Sequence, residues 1–168
     1  MLANMKRMFL VFAALVTTAI LVASFSAPRL IESRFNRVLA PQPYKVSEKA
    51  KALHGRLTIV DLHTDSLLWG RDLLTKSSVG HVDIPRLREG NVAVQVFSVV
   101  TKTPRSQNIN RNSGDSDLIG ALAIAEHWPP RTWGSLKHRA LYQAERLRGT
   151  AQDSNGRLLL IRRSTHPV

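Results

Sequence analysis

Asp61-Leu62-His63-Thr64-Asp65 sets a histidine and an aspartate two residues apart, directly after the apolar run Leu57-Thr58-Ile59-Val60. Residues i and i+2 of an extended chain point to the same side. An imidazole nitrogen and a carboxylate oxygen can therefore meet one divalent ion at the end of a buried strand. A hydrolytic zinc site takes three protein ligands and keeps a position open for water, so the pair is the start of such a site. A capped, hydrogen-bonded strand end is the competing reading.

The elements that must hold this pair follow from local signals. The run 57–62 reads as a strand. Before it, Ser47 can cap a short helix, Glu48 to Leu53, with Gly55 just past its end. After it, Asp83-Ile84-Pro85-Arg86-Leu87-Arg88-Glu89-Gly90 carries a cap, a first-turn proline and a closing glycine. Val92 to Val100 is nearly apolar throughout, as in a parallel strand covered on both faces. Residues 101–115 form a polar loop at its C-terminal end, where α/β barrels handle ligands. Leu118, Ile119, Leu122 and Ile124 recur at helical spacing between Asp117 and His127, and Pro129-Pro130 stops that helix. A second helix is expected over 135–147, ended by Gly149, and a short strand over 158–161. The order predicts an α/β fold with parallel pairing.

Composition limits the partners. The chain has 168 residues, no cysteine and a formal charge of +12. Thiolate zinc sites, disulfides and cysteine nucleophiles are excluded. The positive balance suits anionic surfaces. Its even spread and the lack of any nucleic-acid motif point away from nucleic acid and towards lipid.

Lys6 and Arg7 precede an uncharged stretch from Met8 to Pro28 that is long enough to span a bilayer. An uncleaved anchor fits its length. A signal peptide cut near Pro28 would use Ser24, Ser26 and Ala27. With Lys6 and Arg7 inside, the bulk of the chain lies on the outer side, tethered or secreted according to which holds. The organisation read from the sequence is an anchor or signal over 1–28, a linker and short helix over 29–55, and an α/β domain over 56–168, which the resemblance below makes a truncated barrel.

Three segments together, Val60-Asp61-Leu62-His63-Thr64-Asp65-Ser66, Gly80 to Gly90 and Val94-Gln95-Val96-Phe97-Ser98-Val99, resemble the opening of the membrane dipeptidase (renal dipeptidase) family. The resemblance covers about residues 56 to 165. It implies a (β/α)8 metallo-hydrolase barrel, two zinc ions and hydrolysis of dipeptides with tolerance for a D-residue on the C-terminal side. His63 and Asp65 match the family's His-x-Asp metal ligands on the first barrel strand. The family also needs a bridging glutamate and two later histidines. Asp115, Asp117, Glu126, Glu145, Asp153, His127, His138 and His166 match none of these positions.

Such a barrel takes about 250 residues, so this chain is expected to hold its N-terminal part and to be inactive alone. The alternative is a non-enzymatic, membrane-tethered basic interaction protein built from a barrel piece. The remaining singled-out residues have ordinary roles to hand. His81 is a surface or supporting residue, and Gln95 faces the site or is a bonded core amide. Trp69, Trp128 and Trp133 pack or sit at edges, and Arg162-Arg163 is a solvated pair.

Overall fold

The computed structural model describes residues 2–40 and 43–161; Pro41, Arg162, Arg163 and His166 lie outside them. Helix α1 runs Leu2–Phe35. It continues past Pro28, which has no N–H for the Ser24 carbonyl. Its most apolar stretch is wholly exposed, and the helix is long and apolar enough to be a membrane span or signal sequence. Its last third instead packs on the rest of the chain. Glu32 Oε1 forms an ion pair with Arg71, 2.8 Å from its Nε, Phe35 stacks on Trp69, and the Gly80 amide, at φ 79°, donates to the Asn36 carbonyl at 2.8 Å.

Helix α2, Glu48–His54, begins where Ser47 accepts the Ala50 amide. Strand β1 covers Ile59–Thr64, two residues later than the apolar run suggests. Leu57 is withdrawn from the ladder because its carbonyl takes the Asn91 side-chain amide at 2.8 Å. A one-turn 3-10 helix, Ser66–Leu68, follows directly. Helix α3, Ile84–Glu89, is capped by Asp83 and closed by Gly90. It crosses over to strand β2, Val92–Phe97, which pairs with β1 in parallel.

The ladder ends three residues earlier than the apolar run. Val100 is bonded instead by the Gln143 side-chain amide, which takes its N–H at 3.2 Å and gives to its carbonyl at 3.0 Å. Two strands are found among the described residues, and Leu62 is 72 % exposed.

Helix α4, Leu118–Ala125, starts at Asp117, whose Oδ1 accepts the Ile119 and Gly120 amides. Helix α5, Leu136–Asp153, runs through Gly149 rather than ending there. The stop comes at Asn155 and Gly156, both at positive φ, the left-handed conformation that terminates helices. No strand forms at 158–161: the Leu158 amide turns back onto Ser154 Oγ at 3.1 Å, and Leu159 and Ile161 are exposed.

The apolar core is small: Leu68, Ile119, Ala123 and Trp128, with Trp69, Val100, Leu122 and Tyr142 against it. Two arginines complete it. Arg139, buried, gives Nε to the Thr132 carbonyl at 2.7 Å and Nη1 to the Thr101 carbonyl at 2.7 Å and Asp117 Oδ2 at 2.6 Å. Arg146 donates to the carbonyls of Leu67 and Trp69 at 2.7 and 2.6 Å. Backbone groups of non-helical segments, which must be paired when buried, thus find their donors in side chains.

Burial pushes the Asp117 carboxyl upward, but the hydrogen bond and charge of Arg139 and the two capping amides outweigh it and hold its pKa below the usual range. With the folded value below the unfolded one, the stabilisation is fully present above the unfolded pKa of about 4 and is lost as pH falls through the folded value. Asp117→Ala removes a helix cap and strands Arg139 without its counter-charge. It should cost about 3 kcal/mol in chemical denaturation at neutral pH, and the difference from wild type should shrink as the pH drops below about 4.

Candidate metal centre

The end of β1 is fixed from both sides. The Ser98 amide donates to the Thr64 carbonyl at 2.8 Å, continuing the pairing one residue beyond β2. Thr64 Oγ1 meets Ser66 Oγ at 2.7 Å, both buried, turning the chain into the 3-10 helix. His63 and Asp65 are left facing outward at the strand mouth. The His63 side chain is 69 % exposed, and its own amide donates to Asp61 Oδ1 at 3.1 Å.

His63 Nε2 lies 3.2 Å from Asp65 Oδ1. The contact is close enough for an ion pair but does not meet hydrogen-bond geometry, which leaves the solvent-shielded Oδ1 without a donor. Two ligand atoms held about 2.0–2.2 Å from one zinc at the tetrahedral angle stand about 3.3–3.5 Å apart. The observed spacing is close to that edge. His63 Nδ1 lies 3.0 Å from Ser98 Oγ. In the tautomer where Nδ1–H donates to that hydroxyl, Nε2 keeps a lone pair for a metal, the arrangement that orients metal-binding histidines. In that tautomer the donor types and the 3.2 Å spacing are compatible with one zinc ion.

Among the described residues no third histidine, aspartate or glutamate joins the pair. Asp115 accepts from Ser113 and Asp117 caps α4. Glu126 is buried, Glu145 meets Arg131, and Asp153 ends α5. His127 meets Ser24, and His138 meets Ser135. His81 is exposed and lines a separate cleft with Lys76, Arg86 and Glu89. Gln95 is opposite Asp61 in the ladder, half-buried, with its amide nitrogen on the Val96 carbonyl and its Oε1 unpartnered. Trp128 is core, Trp69 packs against it, and Trp133 is partly exposed.

Sequence reasoning missed Ser98 as the histidine's partner. Its position one step beyond an apolar strand was visible, but the parallel register that sets it beside His63 was not.

No protein-family model, curated protein or solved structure matches this chain.

If Ser98 holds the ring for metal binding, Ser98→Ala should weaken zinc binding about tenfold, the lower end for loss of a supporting partner. His63→Ala should abolish binding. Isothermal titration of zinc into the three proteins at neutral pH measures both.

Proposed function

We propose that this chain contributes the first ligands of a binuclear zinc centre in a membrane-anchored dipeptidase, a hydrolase of dipeptides on a (β/α)8 barrel. The observation that carries this reading is the 3.2 Å approach of His63 Nε2 to an otherwise unpartnered Asp65 Oδ1. The resemblance of the flanking segments to the membrane dipeptidase family supports it.

In this reading His63 and Asp65 would hold one zinc, and Ser98 would orient the imidazole. Bound zinc supplies a water acidified towards neutrality and polarises a peptide carbonyl. The bridging glutamate and two histidines that the family needs would come from further polypeptide, so residues 1–168 alone do not turn over substrate.

The docked last third of α1 supports an uncleaved anchor over a cleaved signal. A cut near Pro28 would remove the contacts of Ser24 and Phe25 with His127. With Lys6 and Arg7 on the inner side, the domain faces outward.

A second reading, a non-enzymatic membrane-tethered basic interaction protein, draws support from the exposed apolar side chains Val60, Leu62 and Val96 on the two strands. Metal analysis of the purified chain beside a dipeptide hydrolysis assay in added zinc separates the two. The first reading expects no more than one zinc, lost on His63→Ala, and no hydrolysis. Two zinc ions with turnover would refute the claim that the chain is inactive alone. Absence of any His63-dependent zinc would favour the interaction protein.

A further inference from the structure

Helix α4, with the sequence Leu-Ile-Gly-Ala-Leu-Ala-Ile-Ala, carries no polar side chain on any face. Only Ile119 and Ala123 are buried. Leu118, Ala121 and Ile124 recur at i, i+3 and i+6 on the opposite side and are exposed, Ile124 by 51 %. A helix that is apolar all round is normally covered all round, by protein or by lipid. The charged groups at its two ends are engaged elsewhere: Asp117 pairs with Arg139, and Glu126 accepts the Gly70 amide.

The contacts of α1 set the level of this helix. Residues 14–23 of α1 are exposed, and shielding by the domain begins at Ser24. Ser24 Oγ meets His127 Nε2 at 2.8 Å, and the Phe25 and His127 ring centroids are 6.2 Å apart. His127 stands two residues past the end of α4. Glu32 meets Arg71 and Phe35 meets Trp69 further along α1, about 12 and 16 Å beyond Ser24 at the helical rise per residue. Of these three contact points, His127 therefore lies nearest the apolar stretch, and α4 itself touches α1.

The uncharged stretch from Met8 to Pro28 is about 31 Å long as a helix, the thickness of a bilayer's hydrocarbon layer. With Pro28 at the edge of that layer, Phe25 lies about 5 Å inside it. Helices that lie in a membrane surface bury their apolar faces to about 5–10 Å. His127 and the end of α4 are thus held at that depth. The Ser24 and His127 side chains pair with each other there, which spares both an unmatched polar group in lipid. Arg29 and Arg34 follow, both exposed, at the level of the phosphates.

We propose that the exposed face of α4, formed by Leu118, Ala121 and Ile124, is seated in the acyl boundary of the same bilayer that α1 spans. The domain then lies on the membrane instead of standing off it. The proposal rests on α1 as an uncleaved span and not on the peptidase reading.

The chain has no cysteine, so single reporter positions are introduced one at a time. Ala121→Cys and Ile124→Cys probe the face. Asn110→Cys, in the exposed polar loop, and Leu15→Cys, in the apolar stretch, are controls. Each full chain is labelled with the fluorophore NBD in nanodiscs of equal parts phosphatidylcholine and phosphatidylglycerol, and quenched by aqueous iodide or by lipid carrying a nitroxide near the headgroup. Labels at 121 and 124 should be quenched by the nitroxide lipid and lose iodide quenching; the label at 110 should show the reverse. Iodide quenching at 121 and 124 equal to that at 110, with position 15 shielded, overturns the proposal and leaves the span standing. A label at 15 open to iodide overturns the span and the proposal with it. Labels at 121 and 124 shielded from both quenchers would put a second copy or another protein over the face, and that also overturns the proposal.

Discussion

The parallel ladder between β1 and β2 is the constraint on which the candidate centre depends. Because the pairing carries through to Ser98 and Thr64, β1 must stop at Thr64, and the hydroxyl of Ser98 must arrive beside His63. The bonded Thr64 and Ser66 hydroxyls then turn the chain sharply enough for Asp65 to face back on His63. Three ordinary local events at a strand end thus bring an imidazole nitrogen and a carboxylate oxygen within 3.2 Å. A shift of one residue in the register would send both groups to the opposite face.

The rest of the domain secures that strand end with polar contacts as much as with apolar burial. A core of four buried hydrophobic residues and their neighbours covers little surface, and the two strands leave Val60, Leu62 and Val96 exposed. Arg139 and Arg146 tie the connecting segments to α5 by donating to carbonyls that lie outside the α-helices and strands. Arg146 reaches the carbonyls at Leu67 and Trp69, immediately after the strand mouth, so α5 acts on the position of Asp65 through the short 3-10 helix. Gln143 does the equivalent work at Val100, standing in for a neighbouring strand. Through Glu32, Phe35 and Asn36, the end of α1 joins the same assembly.

What the sequence made legible was local. Ser47, Asp83, Asp117 and Ser135 declare their helices because a short polar side chain before an apolar or proline start accepts an orphan amide. The His-x-Asp spacing was also legible, but Asp65 lies past the end of β1 with a non-extended backbone, so its approach to His63 comes from the turn rather than from the strand's period of two. The misreadings all came from distant partners or from competing local signals. Gly149 looks like a helix stop, but Asn155 and Gly156 adopt the left-handed turn that ends α5. The 158–161 run is apolar enough for a strand, yet Ser154 captures its first amide. Pro28 looked like a boundary, and α1 continues through it, with Glu32 and Phe35 finding partners more than thirty positions along the numbering in Arg71 and Trp69. The adjacency of His63 and Asp65 was readable; the Ser98 hydroxyl beside His63 was not, since it arrives only through chain segments brought together by the fold.

The central claim is that His63 is held with Nδ1 on Ser98 and Nε2 free for a metal. Long-range proton–nitrogen correlation spectra of the full chain with labelled histidines, recorded before and after adding zinc, test it most directly. The account predicts that His63 starts as the Nδ1–H tautomer and that zinc moves its Nε2 resonance alone, with Nδ1 still protonated. A His63 that binds through Nδ1, or a zinc-induced change confined to other histidines, would contradict it.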